Sequence, residues 1–343
     1  MGGVLEPYDD FLDSAPEALV AEQPSPEMVD RTRHVVVTGA AGLVGTHVCR
    51  ELSGRGWRVR ALVRDSEKAT RRIGHMPVEI MGADIRDASA MSIALRGAGA
   101  IVHLAAIAIE RPGQSYDDVN SRATSLLVEM AKHQRVERFI YMSQNGASSA
   151  SPFAFLRSKG VAEDLVTGSD RRWTVLRPSV IFGPQDAFVN VLARLVRLSP
   201  LIYPLPGGGK ARFQPIAAGD VAKVVARTLE MPETIGQAYS LGGPAALTLR
   251  QMAERIFLAM DADRTIVPVP VSVMRPLIAV LQRVLPNPPV TTSLLDLLAL
   301  DNTVSDNALF DVFGIEPTPF APEEISYLKG IGFMDAVRSI FQG

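Results

Sequence analysis

His34-Val35-Val36-Val37-Thr38-Gly39-Ala40-Ala41-Gly42-Leu43-Val44-Gly45 opens as a β-branched run, stops on a glycine turn and restarts as a helix. The run suits a strand buried on both faces. After the turn, Val44, Val48 and Leu52 recur on one helical face, and Gly54-Arg55-Gly56 ends the pattern. Trp57 to Val63 then reads as a second strand, which completes one βαβ unit. Each glycine of Gly39-x-x-Gly42-x-x-Gly45 has a mechanical reason. Gly39 permits a sharp turn, Gly42 lets the backbone approach a pyrophosphate, and Gly45 lets helix and strand pack closely. Free amides and the helix dipole at the start of the helix favour an anion there. The spacing is three and three, where ordinary dehydrogenases have two and three.

Working outward, strand and helix keep alternating. Strands are expected at Val78–Met81, Ala100–Ala105, Arg138–Ser143 and Trp173–Arg177, with helices at Ala88–Leu95, Asn120–Gln134 and Ser158–Thr167. This order predicts an α/β fold, a Rossmann-type doubly wound parallel sheet. From Gly183 the grammar changes, with proline and glycine clustered in Pro200 to Gly209 and a helix at Thr248–Ala259. We read residues 33–182 as the dinucleotide-binding domain. Residues 183–343 form a smaller C-terminal α/β lobe for a substrate or partner, intercalated with the last sheet elements. Residues 1–32 read as a flexible acidic tail: positions 1–30 hold eight Asp or Glu and no Lys or Arg, with four prolines interleaved. The apolar stretch Val271 to Leu285 reads first as a helix packed on its own domain. A surface-seeking helix at a membrane or partner is the alternative.

Composition excludes several classes. A formal net charge of −2 argues against a nucleic-acid binder. A single cysteine, Cys49, excludes intramolecular disulfides and Cys-based zinc or iron–sulfur sites, and its place beside the core face suggests a buried small hydrophobe. No apolar run reaches the ~18–20 residues of a membrane span, and neither a signal peptide nor an Arg-rich presequence is expected. The five histidines are scattered without metal spacing, so no metal is expected; His103 suits a satisfied structural role. Glu163-Asp164 and Asp117-Asp118 read as solvated helix faces. The expected location is cytoplasmic, or peripheral at the inner membrane face.

The end of the second strand selects the dinucleotide. Arg64 and Asp65 fall 19 and 20 residues after Gly45. An acidic residue there binds the 2′-hydroxyl of NAD, whereas an arginine accepts the 2′-phosphate of NADP. Arg64 comes first in reach, so NADP(H) is preferred, with NAD(H) as the alternative; Arg71 and Arg72 add positive charge downstream.

The glycine turn, Gly82-Ala83-Asp84-Ile85, His103-Leu104-Ala105-Ala106, Asn120 and Leu176-Arg177-Pro178-Ser179-Val180-Ile181-Phe182-Gly183 resemble the extended and atypical short-chain dehydrogenase/reductase superfamily. Pro206 to Gly209, Gln214-Pro215-Ile216, Asp220-Val221-Ala222, Tyr239 to Pro244, Leu247 to Arg250 and Asp301-Asn302-Thr303-Val304 narrow this. They resemble the atypical subgroup named for the nucleotide-binding accessory subunit of respiratory complex I. The resemblance implies that Gly39, Ala41, Gly42, Leu43 and Val44 cradle the dinucleotide and that Asp84 and Ile85 lie at the adenine. It also implies that Leu104, Ala105 and Ala106 run along the cofactor, with Pro178 and Ile181 beside the nicotinamide.

One position departs from the superfamily. Its active enzymes carry Tyr-x-x-x-Lys, with the phenol as general acid/base and the lysine on the nicotinamide ribose. Here the stretch is Phe155-Leu156-Arg157-Ser158-Lys159, so the lysine is kept and the proton donor is lost. Such acid/base help contributes ~10²–10⁴-fold. Ser143 matches the neighbourhood of the superfamily's catalytic serine. The expectation is an NADP(H)-binding protein with weak or no ordinary reductase activity and a structural or regulatory role. The alternative is an NADPH-dependent oxidoreductase or epimerase acting on a lipophilic (quinone- or isoprenoid-like) or nucleotide-sugar substrate.

Overall fold

The computed structural model describes residues 29–341; the expected acidic tail through residue 28 lies outside the described residues. The chain runs β1 (His34–Thr38), α1 (Leu43–Gly54), β2 (Val59–Val63), α2 (Ser66–Ile73), β3 (Val78–Gly82), α3 (Ala88–Ala94) and β4 (Ala98–His103). It continues with α4 (Ala123–His133), β5 (Arg138–Met142), α5 (Ala154–Thr167) and β6 (Arg172–Pro178). The second half holds β7 (Ile181–Phe182), α6 (Val189–Leu198), β8 (Ile202–Pro206), β9 (Arg212–Phe213), β10 (Ile216–Ala217), α7 (Ala218–Glu230) and β11 (Gln237–Leu241). It ends with β12 (Leu247–Thr248), α8 (Leu249–Ala259), β13 (Thr265–Val269), α9 (Val271–Val284), α10 (Thr292–Leu298), α11 (Ala308–Asp311) and α12 (Phe333–Phe341).

Seven parallel strands form one sheet in the order β11-β6-β5-β4-β1-β2-β3. Val35 and Val37 face one core with α1, α2 and α7; Val36 faces the other with α3, α4 and α5. The strands therefore read as unbroken apolar runs, because both faces are covered. Strand order reverses between β1 and β4. In such sheets a crevice opens at that reversal, beyond the carboxyl ends of the strands.

A separate apolar cluster joins α6, β8, β9 and α8 in the C-terminal half. The second half also returns to the first: β11 completes the sheet, and α7 contributes Val221, Val224 and Val225 to the core that α1 lines. At the end of the expected tail, Arg31 is ion-paired with Glu230 at 2.9 Å.

Several boundaries differ from expectation in ways that touch the site. The strand expected through Ala105 ends at His103, leaving Leu104 and Ala105 in the loop beyond it. The helix expected from Ser158 starts at Ala154, so Phe155 and Lys159 share one helix. The helix expected from Asn120 begins as a π-helical turn over Asp117–Arg122. The expectation that Val271 to Leu285 packs on its own domain holds along one edge only, where Arg275 pairs with Asp296 and Gln282 accepts the Thr292 amide of α10. In α9 only Ile278 is buried, while Val273, Leu277, Val280, Leu281 and Val284 face outward. Helical periodicity identifies an apolar face without saying what covers it.

Candidate functional site

The glycine turn is shaped by close approach. Gly39 has φ +69°, and a Cβ there would sit 2.9 Å from the Ala105 nitrogen. A Cβ on Gly45 would sit 2.2 Å from the Gly39 oxygen and 2.7 Å from Ala40 Cα, so α1 can leave β1 only with glycine there. No side chain caps α1 at Gly42. The first amides of this 12-residue helix are thus free of intrahelical partners and face the crevice with the positive end of the dipole. This cradle fits a diphosphate.

Two adjoining cavities continue from it. The first, about 630 Å³, is lined by Gly39, Ala41, Gly42, Arg64, Asp84, Ile85, Leu104, Ala105 and Ala106. Arg64 makes no hydrogen bond or ion pair among the described residues. Asp65 is drawn off elsewhere: its carboxylate accepts the Lys68 amide at 2.8 Å and caps α2. Arg72 donates to the Ala41 oxygen, which fixes a second guanidinium against the glycine turn. Sequence reasoning named Arg72 only as downstream charge. Asp84 is held by Arg86, at 2.7 Å through the side chains and 2.9 Å through the Arg86 amide. That pairing holds its carboxyl below the usual range, with Arg64 adding to the effect.

The second cavity, about 460 Å³, brings together Leu43, Val44, Ser143, Phe155, Lys159, Pro178 and Ile181. Its other walls are mostly apolar, including Phe188, Phe213, Leu294, Leu297 and Leu300, with Asn145, Gln185, Asp186 and Asn302 among the polar members. Ser143 is 3% exposed, and its Oγ has no hydrogen-bond partner among the described residues. An orphaned hydroxyl at a cavity wall is a group waiting for an acceptor or donor. Lys159, 4% exposed, donates from Nζ to the Met142 oxygen at 2.6 Å and lies 4.5 Å from the Tyr141 ring centre. Burial pushes its pKa down to about 7, with Glu163 opposing. Phe155 lies 5.8 Å, centre to centre, from the ring of Tyr116. That phenol donates to the Ala108 oxygen at 2.9 Å, and burial pushes its pKa up.

The surrounding frame is polar and satisfied. His103 Nδ1 accepts from Thr38 Oγ1 at 2.7 Å, and Nε2 donates to Thr124 Oγ1 at 2.9 Å. This tautomer follows because Thr124 already donates to the Asn120 oxygen at 2.6 Å. Thr38 Oγ1 in turn accepts the amides of Leu104 and Ala105, both at 3.2 Å. His103 is therefore structural, as its buried strand position suggested. Asn120, set by the π-helical turn, clamps Ile107 through its amide (2.8 Å) and its carbonyl oxygen (3.1 Å). Asn145 Nδ2 bonds Asn302 Oδ1 and the Thr303 oxygen, both at 2.9 Å, so the 301–304 segment straps the cavity to the C-terminal half. Cys49 is buried, with its thiol pushed up to about 12.

One expectation is overturned. Glu163 is not on a solvated face: it is buried and accepts both Nε and Nη2 of Arg177, while its Oε2 has no partner among the described residues. Helix α5 turns Glu163 inward one turn beyond Lys159, and only Asp164 reaches solvent.

Residues 39–232 match the NAD(P)H-binding family. The chain is 30% identical over 287 residues, 80% of its length, to a mitochondrial NADH dehydrogenase (ubiquinone) 1 alpha subcomplex subunit 9 of Arabidopsis thaliana, covering 71% of that protein. It is 31% identical over 169 residues to a ceramide reductase of Caulobacter vibrioides, spanning 49% of this chain and 52% of that one. Among solved structures, a UDP-glucose 4-epimerase of Thermus thermophilus in complex with NAD superposes with a TM-score of 0.65 at 21% identity, over 87% of this chain and 99% of that one. That last likeness is one of fold.

Proposed function

This chain belongs to the NAD(P)H-binding family, and on that premise we propose that it holds NADP(H) as a stabilising ligand in a structural or regulatory role. In this reading it resembles the accessory subunits of complex I in having a protein partner and little ordinary reductase activity. One observation supports the reading: a crevice lined by the glycine turn and Arg64 adjoins a cavity in which a phenyl ring stands at the proton-donor position. When bound, a nicotinamide dinucleotide supplies or accepts hydride. The chain's own residues do the rest. The α1 amides hold the diphosphate, and Arg64 with Arg72 holds the 2′-phosphate. Asp84 and Ile85 bound the adenine, while Leu104 to Ala106 line the path between the cavities. Lys159 would meet the ribose, and Pro178 and Ile181 the nicotinamide. No helix among the described residues is long and apolar enough to cross a membrane. A cytoplasmic or peripheral inner-membrane location belongs to the same reading.

Titration calorimetry with NADPH and NADH on the parent chain and on Arg64→Ala tests it. A charge-assisted contact is worth about 1.5–3 kcal/mol. Arg64→Ala should then weaken NADPH by roughly ten- to a hundred-fold and leave NADH nearly unchanged. Equal weakening of both, or an outright preference of the parent for NADH, would overturn the NADP assignment.

A second reading rests on the apolar cavity with the orphaned Ser143 hydroxyl, which suits a lipophilic carbonyl or hydroxyl compound. The similarity to a ceramide reductase supports that substrate class. Ser143 would bind the substrate oxygen, with the proton coming from water or from the substrate.

A further inference from the structure

We propose that the outward face of α9, continued by α12, seats the protein on an anionic phospholipid surface. The reading is independent of the nucleotide, because α9 lines neither cavity. Val273, Leu277, Val280, Leu281 and Val284 are spaced i, i+4, i+7, i+8 and i+11. They form one apolar stripe about 100° wide, with Leu277 62% and Val284 72% exposed. Ile278 turns the adjacent edge of the helix into the fold, and Arg275 ties it to Asp296 on α10. The stripe is thus fixed outward and does not roll under.

The patch does not end with α9. The Asn287 amide donates to the Ile340 oxygen at 3.0 Å, which brings the end of α9 to the end of α12, where Phe341 is exposed. Arg197 donates to the Ile331 oxygen at 2.7 Å, which brings the turn bearing exposed Leu201 and Ile202 to the start of α12, where Phe333 and Met334 are exposed. Exposed apolar residues gathered on neighbouring elements in this way mark an interaction site.

Charge decides the occupant. Residues 264–295 contain Arg264, Arg275 and Arg283 and no Asp or Glu; Arg275 is paired with Asp296, and α12 carries both Asp335 and Arg338, so Arg264 and Arg283 supply the cationic excess. Exposed Arg283 and Arg338 have no hydrogen bond or ion pair among the described residues. An aliphatic stripe beside unpaired arginines suits the acyl boundary and headgroups of an anionic lipid surface. At 1.5 Å per residue, the 14 residues of α9 span roughly 21 Å. That is too short to cross a bilayer, so the helix lies in its surface.

Flotation of the full chain with vesicles tests this, using phosphatidylcholine alone and phosphatidylcholine mixed with phosphatidylglycerol. The parent should float with the mixed vesicles, far less with the neutral ones, and less as salt is raised. Leu277→Glu should weaken vesicle binding by roughly ten- to a hundred-fold, the equivalent of one leucine's burial. Its urea unfolding midpoint should stay at the parent value, which shows that the variant is folded. Failure of the parent to float with mixed vesicles would overturn the proposal, as would a Leu277→Glu variant that floats equally well. So would a parent that ignores vesicles but is a dimer that Leu277→Glu makes monomeric, since a second copy would then cover the face.

Discussion

A phenyl ring at position 155 removes a proton donor and keeps the cavity wall. Ser143 and Lys159 remain within the same cavity, one with a free hydroxyl and the other with an amine that burial brings near neutrality. If these two groups are competent, Phe155→Tyr should raise NADPH oxidation with lipophilic ketones and quinones by up to ~10²–10⁴-fold over a near-background parent. A spectrophotometric panel at fixed NADPH reads this directly. No gain would mean that the Met142 oxygen holds Lys159 away from any catalytic use. Phe155 was legible at this scale because the Phe-x-x-x-Lys spacing is covalent. The burial of Glu163 was not, since its partner Arg177 lies on another element.

Among the elements, α1 is tightly constrained, because its first turn leaves β1 without room for a side chain. Gly45→Ala pushes a Cβ against the Gly39 oxygen and Ala40. It should cost about 1–3 kcal/mol, the usual range for overpacking, seen as a lower urea midpoint at unchanged m. Gly54→Ala at the other end of the same helix meets nothing within 4 Å and should be neutral or slightly stabilising. Equal effects from both would refute close packing as the reason for Gly45. Apolar periodicity exposed both α1 and α9 in the sequence. It could not tell that one faces a sheet and the other faces outward, because a stripe carries no record of its neighbour.

For the whole molecule, His103 links β1, β4 and α4 and gives stability a defined pH dependence. Burial lowers its pKa from 6.5 to about 3, with Lys159 contributing. Between those values the unfolded chain binds more protons than the folded one, so stability rises with pH across the window and is lost as pH falls through it. Urea unfolding at a series of pH values should show this acid loss. His103→Gln should lower stability at neutral pH and flatten the acid slope by up to about 1.4 kcal/mol per pH unit, one proton's worth. Lys159, lowered from 10.5 to about 7, acts in a separate window: stability should rise from pH 7 toward 10.5. An unchanged acid slope in His103→Gln would assign the acid loss to other groups.

By itself, the sequence determined the alternating sheet, the glycine turn, the guanidinium at position 64 and the missing phenol. Each is set within a few residues by sterics, period or covalent spacing. Tertiary structure decided which charges are spent. Asp65 caps α2, Asp84 pairs with Arg86, Arg72 reaches Ala41 and Glu163 pairs with Arg177, while Arg64 and the Ser143 hydroxyl stay free. It also decided that segments as distant as Leu43 and Asn302 close one cavity, and that the apolar stripe of α9 faces outward. The reason is physical: burial and ion pairing depend on neighbours brought from far along the chain, and the hydrophobic effect is non-directional and names none of them.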